Sequence, residues 1–267
     1  MRWQHNVSAK WLKERKECLM STDIVALLPA YKRAKKAKWT QGKIIPEFAA
    51  LWYEKHSDIE PDTMSYNAAA RGHFMEPYAI EEYRKLTGKN MLHWDNMLIN
   101  LGVVGFSPDG MPVGIYKGVV DTKFGREHMV SANKVRYPSI VFEDVKELVE
   151  IKCYEPKHHL KTILADPADR IERFQIATAM YVLPDVESVD LFLYCPSTPK
   201  PIYMFNYNRN ELRKEIAIVD EIGGMWRDTC HLMINATKHT FKPIYTMKDI
   251  EEDYIATQDS SGTFYLK

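Results

Sequence analysis

Apolar residues recur along the chain with two different periods. Up to residue 88 they return every three or four positions, the spacing of a helix face, whereas beyond residue 100 short apolar runs bounded by turn residues alternate with two further helical stretches. Residues 7–18 read as a short basic helix. In "LMSTDIVALLP", Ser21, Thr22 and Asp23 precede an apolar run that Pro29 closes, which is a helix-start pattern. Residues 45–56 place Phe48, Leu51, Trp52 and Lys55 at helical spacing. The stretch "YNAAARGHFMEPYAIEEYRKLTG" predicts a longer helix ending at Gly88. Its stripe of Ala69, Gly72, Glu76, Ala79, Tyr83 and Leu86 turns Glu76 inward. Pro77 is expected to kink or restart that helix, because its ring excludes the preceding turn's carbonyl.

Residues 101–107, 148–153, 189–195 and 201–206 are rich in β-branched, leucine or aromatic side chains and read as strands. Residues 168–183 form an amphipathic helix with Ile171, Phe174, Thr178 and Val182 inward and Gln175 on the same stripe. A last helix covers about 209–234. This order predicts one α/β core, helices packed on a mixed sheet. The segment 111–147 interrupts it. With Gly114, Gly118, Gly125 and Pro138 and only short apolar runs, it reads as an insertion, a hairpin and a long loop, and loops of such length are usually functional or mobile. No internal repeat or low-complexity stretch is present.

Composition narrows the picture. The 267 residues are 45% hydrophobic and 27% charged, ordinary for a soluble globular protein. No apolar run is long enough to span a bilayer, and the first residues lack the apolar segment of a secretory signal. Cys18, Cys153, Cys195 and Cys230 form no C-x-x-C pair, which argues for reduced thiols in a cytoplasmic setting and against a zinc or disulfide scaffold. Cys153 reads as an inert buried thiol. Net charge is zero, but residues 1–43 hold eleven Lys or Arg against three Asp or Glu, about +8, leaving about −8 for the rest. The basic stretches "KWLKERK" and "YKRAKKAKW", with Trp11, Tyr31 and Trp39 interleaved, suit a phosphate backbone; a solvated helix face is the plainer reading of either alone.

Two short motifs carry candidate chemistry. In "GFSPDG", Asp109 by itself is a turn residue. In "ELVEIKC", Glu150 and Lys152 share one strand face with Leu148, and Val149, Ile151 and Cys153 take the other. Charges on so apolar a strand should be paired or metal-bound; an ion pair at a sheet rim is the bland alternative. Phosphodiester hydrolysis needs a hard cation that polarises the phosphoryl group and activates water. Magnesium takes oxygen ligands. Asp109, Glu150 and the Ile151 carbonyl supply such oxygens, and Lys152 can orient water and counter developing charge. Glu76 serves as a further ligand, directly or through water, or as a buried acid paired with a core cation.

With these pieces in order, the sequence resembles the PD-(D/E)xK nucleases, and within them the phage lambda exonuclease or YqaJ-type viral recombinase family. "WLKERKECLMSTDIVALL" resembles the family's opening, "ARGHFMEPYAIEEYRKLTG" its Gly-x-x-x-Glu helix, "SPDG" and "ELVEIKC" its two core motifs, and "RFQIATAMYVL" its glutamine-bearing helix. The resemblance spans residues 11 to about 183. It implies a restriction-endonuclease-like α/β fold; the chain as a whole reads as a single nuclease domain with a basic helical region 1–60, and the helical extension from about 207 has no counterpart in the resemblance. It implies catalytic roles for Asp109, Glu150, Lys152, Glu76 and Gln175, with Asp109, Glu150, Ile151 and Glu76 at magnesium, or manganese in its place. Arg15 and Ser21 would hold a DNA 5′-phosphate. Ser21 opens its helix, where free N–H groups favour an anion; a simple N-cap is its other reading.

One departure stands out. Asp109 and Glu150 lie 41 positions apart, where the family has a short hairpin, so Asp121 and Asp144 are rival ligands. The activity implied is a magnesium-dependent exonuclease acting 5′ to 3′ on duplex DNA ends in the cytoplasm, as a trimeric ring, with a single-strand annealing protein as partner. An endonuclease or nickase of the same fold, and a silent DNA-end-binding protein, are the alternatives. An iron–sulfur relative is disfavoured by the cysteine spacing.

Overall fold

The computed structural model describes residues 15–57, 66–93, 98–112, 120–122, 125–127, 145–164 and 171–237. Among the described residues, the helices α1 (Ser21–Lys36), α2 (Pro46–His56) and α3 (Tyr66–Thr87) precede the strands. Strands β1 (Met91–His93), β2 (Ile99–Leu101), β3 (Val104–Phe106) and β4 (Gly110–Pro112) follow, then β5 (Val120–Thr122) and β6 (Gly125–Glu127). The chain continues through β7 (Glu147–Lys152), α4 (Pro156–Leu164), α5 (Ile171–Val182), β8 (Ser188–Tyr194), β9 (Ile202–Asn208) and α6 (Arg213–Thr237).

Five strands make the main sheet in the order β1-β4-β7-β8-β9. Only β7 and β8 are parallel, and α4 and α5 lie in the crossover between them, as a parallel connection requires. Burial on β7 and β8 is nearly continuous because helices cover both faces. The faces hold separate cores. Leu148 packs in the larger one, with Ile24, Phe48, Ile176 and Trp226 among its members. Val149, Ile151 and Cys153 pack with Ala79, Ile80 and Tyr83 of α3 on the other. The face alternation expected for residues 148–153 is therefore present.

Several boundaries differ from expectation. Pro29 does not end α1: the helix runs to Lys36 because Ala30, Tyr31 and Ala34 continue the buried stripe, while Pro29 itself faces solvent. Pro77 likewise sits inside a continuous α3, on an exposed position. Leu86 and Ile171, expected inward, are 58% and 56% exposed, since each lies at a helix end beyond the covered stripe. β1, β2 and α4 had no clear signal, being only three residues each for the strands and nine for the helix. The C-terminal helix lends Val219, Ile222, Met225 and Trp226 to the larger core.

Tyr31 is buried and its hydroxyl donates to Glu221 at 2.9 Å, so it is not offered to a nucleic acid. Arg33 pairs with Glu47 and Lys35 with Glu221, so the second basic cluster is partly neutralised by the fold. Trp39 is half-buried, its indole N–H given to the Lys43 carbonyl. Trp11 and the first basic cluster up to residue 14 lie outside the described residues. Within the insertion, β5 and β6 form a separate hairpin, as anticipated in part.

Candidate active site

The two acids meet through strand register. Gly110 of β4 pairs with Val149 of β7 in antiparallel fashion, so one step onward Asp109 comes opposite Glu150, where side chains share a face. Asp109 Oδ2 accepts the Ile151 backbone N–H at 2.8 Å, which pins the turn carboxylate to β7. Glu150 is buried, and Lys152 Nζ donates to its Oε1 at 2.5 Å. Glu76 reaches this end of the sheet from α3. His73 Nδ1 lies 3.3 Å and His93 Nε2 4.0 Å from its Oε2, while His93 Nδ1 sits 3.0 Å from the Asp109 carbonyl. A cleft of about 400 Å³ opens here, lined by Arg71, Glu76, Ile151, Lys152, Tyr154 and His158 among others.

The electrostatics set this cluster apart. The Asp109 carboxyl is held well above the ordinary value of 3.8, first by burial, then by the charges of Glu150 and Glu76; Lys152 and the Ile151 N–H only partly oppose this. Burial works against the Lys152 ammonium, but Glu150, Asp109 and Tyr154 more than offset it and keep the group cationic. Burial, then Glu76 and Asp109, push the Cys153 thiol up to about 12, which suits an inert sulfur. Three acids thus crowd around one ammonium, an arrangement that a hard dication relieves. Among the described residues no three His, Cys, Asp or Glu groups form a complete cage. Two carboxylates with water and substrate phosphate completing the shell is nevertheless an ordinary magnesium arrangement, so the oxygen donors present fit that ion.

The amino-terminal segment joins the site from the side. Leu19 N–H bonds the Val103 carbonyl at 2.8 Å and Gly105 N–H bonds the Leu19 carbonyl at 2.9 Å, so residues 18–20 run along β3. A Cβ on Gly105 would stand 3.0 Å from Cys18 Cβ, so glycine permits the close approach. The start of α1 is thereby set beside the strand that leads to Asp109. Arg15 is half-buried; burial pulls its guanidinium down against the attraction of Asp23 and Asp109. Met20, not Ser21, is the N-cap of α1, and Asp23 Oδ2 accepts the Met20 N–H at 2.8 Å. Ser21 is the first helical residue and partly exposed. Gln175 Oε1 on α5 is buried without a hydrogen-bond partner, so the core does not use that oxygen.

The sheet brings one described acid to Glu150. Asp121 lies on β5, which pairs with β6 outside the main sheet, and Asp144 lies outside the described residues; Asp109 is the acid that the ladder brings to Glu150. Sequence reasoning missed Arg71, His73, His93 and Ser107. His73 could have been found three positions before Glu76. Ser107, two before Asp109, has a buried hydroxyl without a partner. His93 gave no signal, because β1 itself gave none.

Residues 10–183 match the family described as YqaJ-like viral recombinase domain. Among solved structures the fold is similar to an alkaline exonuclease, LHK-Exo, from Laribacter hongkongensis. That likeness has a TM-score of 0.52 and 18% identity, and covers 87% of this chain and 100% of that one. The structure of LHK-Exo in complex with dAMP gives a TM-score of 0.51 at 18% identity with the same coverage. A phage-related exonuclease from Haemophilus somnus 129PT aligns at a TM-score of 0.48 and 11% identity, over 81% of this chain and 96% of that one. No curated protein matches. The fold is restriction-endonuclease-like, a mixed sheet flanked by helices.

Proposed function

The chain belongs to the YqaJ-like viral recombinase family, and from that premise we propose that it is a metal-dependent DNA exonuclease. It degrades linear duplex DNA from 5′ ends and leaves 3′ single strands for recombination. The observation that carries this reading is the meeting of Asp109, Glu150 and Lys152 at one end of β7, with Glu76 raising the same local negative charge.

Asp109, Glu150 and the Ile151 carbonyl would hold magnesium, or manganese in its place, with Glu76 beside them. When bound, such an ion supplies Lewis-acid polarisation of the phosphoryl oxygen and lowers the pKa of water. Lys152, kept charged by Glu150 and Asp109, faces the same cleft and can orient the attacking water and offset charge on the phosphorane-like transition state. Arg15 and Ser21 bind the 5′-phosphate: one offers a cation within reach of Asp109, the other opens a helix whose free N–H groups favour an anion. The unpartnered Ser107 hydroxyl is a further donor for that phosphate. The family resemblance would give Gln175 a role near the reacting groups, and its amide oxygen is not taken up by the core. A trimeric ring would keep the enzyme on its strand, and a single-strand annealing protein would receive the 3′ strand.

A single assay tests the reading. Linear duplex with magnesium should yield mononucleotides and a 3′ overhang; chelation should stop it; closed circular duplex should survive. Cutting of the circle would make the protein an endonuclease or nickase instead. Binding of ends with no turnover under any divalent ion would make it an end-binding protein.

A further inference from the structure

The cleft has a wall that the reaction as described leaves unused. Tyr154, two residues beyond Lys152, and His158 in the first turn of α4 both line it. Their rings are stacked, with centroids 4.2 Å apart and planes inclined by 17°. The Tyr154 ring cannot easily swing away, because its hydroxyl donates to Glu172 Oε1 at 2.6 Å and Glu172 is buried in α5. Tyr154 is half-buried and His158 exposed, so the pair is a fixed inner ring carrying an outer ring at the cleft edge. A cleft of about 400 Å³ falls within the range of roughly 300–1,000 Å³ usual for small-ligand sites, which is room for a nucleotide. Lys152, which serves the scissile phosphate in the reading above, lines the same cleft.

We propose that the Tyr154–His158 pair is a stacking platform for the base of the nucleotide whose phosphate reaches Lys152. The proposal rests on the nuclease reading and extends it to the sugar–base side of the substrate. Every base has a π-face, so such a platform holds the strand without selecting sequence, as an enzyme that consumes whole strands requires. Stacking needs no particular charge on the imidazole. A base drawn onto His158 must leave its own duplex stack, so the platform also helps to part the end of the duplex. His158 is thus a binding residue, and Tyr154 acts through it as a positioning residue.

The test uses the full chain with magnesium and linear duplexes carrying one abasic nucleotide at each of the first three positions of the degraded strand. At one position the wild-type enzyme should lose roughly tenfold in kcat/KM, chiefly through KM, the size expected for one stacked base. His158→Ala should show the same loss on ordinary duplex and no further loss at that abasic position, and His158→Phe should recover the rate. His158→Ala matching the wild type on ordinary duplex overturns the platform. So does an Ala loss that abasic substitution deepens equally at all three positions, or one that Phe fails to recover although it melts at the wild-type temperature. A wild-type chain inert on linear duplex overturns the nuclease reading and this one with it, whereas an active wild type with an indifferent His158→Ala overturns the platform alone.

Discussion

Asp190, buried on β8, and Asp109, half-buried just before β4, stand in opposite surroundings. Asp190, on β8, receives Tyr83 Oη at 2.5 Å, Asn206 Nδ2 at 2.6 Å and Lys89 Nζ at 3.0 Å. Burial would raise its pKa, but those hydrogen bonds prevail and hold it below the ordinary value. Asp109 receives the Ile151 N–H but faces Glu150 and Glu76, and its pKa rises. A buried acid whose lone pairs are all met by donors is complete as it stands. An acid crowded by other acids lowers the stability of the fold when ionised, and that arrangement makes physical sense where a cation is to bind. The first aspartate is structural and the second belongs to the candidate site.

Substitutions should separate the two regions, and the largest effect is on turnover. Glu150→Ala or Lys152→Ala should cut cleavage by about 10³-fold or more while DNA binding survives. Asp109→Asn should do the same and yet leave the melting temperature of the metal-free chain unchanged or raised. Rates near wild type in any of the three would remove that residue from the site.

Next comes stability. Asp190→Ala strands Tyr83 and Asn206, leaves Lys89 only its ion pair with Glu147, and should cost about 3 kcal/mol, lowering the melting temperature by about 6–12 °C. Cleavage per folded molecule should stay near wild type. A melt unchanged by this substitution would mean that the Asp190 network contributes little.

Arg15→Ala should lose roughly tenfold on 5′-phosphorylated ends, the scale of one charge-assisted hydrogen bond, and little on hydroxyl ends. Equal losses on both would argue against a phosphate pocket.

The subtlest contrast is in pH. The folded pKa of Asp109 is raised, so its stabilisation is full below the unfolded value near 3.8 and is lost as pH rises through the folded value. For Asp190 the folded pKa is lowered, so its contribution is present above 3.8 and lost as pH falls through the folded value. Melts in chelator should therefore show Asp109→Asn gaining on the wild type as pH rises, and Asp190→Ala falling further behind. Magnesium should then lift the wild type and not Asp109→Asn. A wild-type and Asp109→Asn difference that is the same at every pH would contradict the crowding of acids described above.

Much of this site could be read in advance because local patterns encode it. Glu150 and Lys152 are two residues apart on an apolar strand, and period-two alternation alone puts them on one face. Three- and four-residue spacing turns Glu76 inward, and it does reach Asp109 electrostatically. The helix starting at Ser21 was marked by its first turn, although Met20 caps it. Where local rules were weaker than packing they misled. Pro29 and Pro77 sit in unbroken helices because each faces solvent while its neighbours hold the buried stripe. Three-residue strands such as β1 are too short to show a period at all, so His93 went unseen.

The sequence by itself determined which chemical groups are available and how neighbouring ones share a face, because side-chain direction follows from the period of the local backbone. Tertiary structure decided which distant groups meet: Asp109 beside Glu150, Arg15 within reach of Asp109, and Tyr154 locked by Glu172 beneath His158. The reason is that strand register and helix docking are fixed by burial summed over the whole core, a quantity that no short stretch of sequence contains.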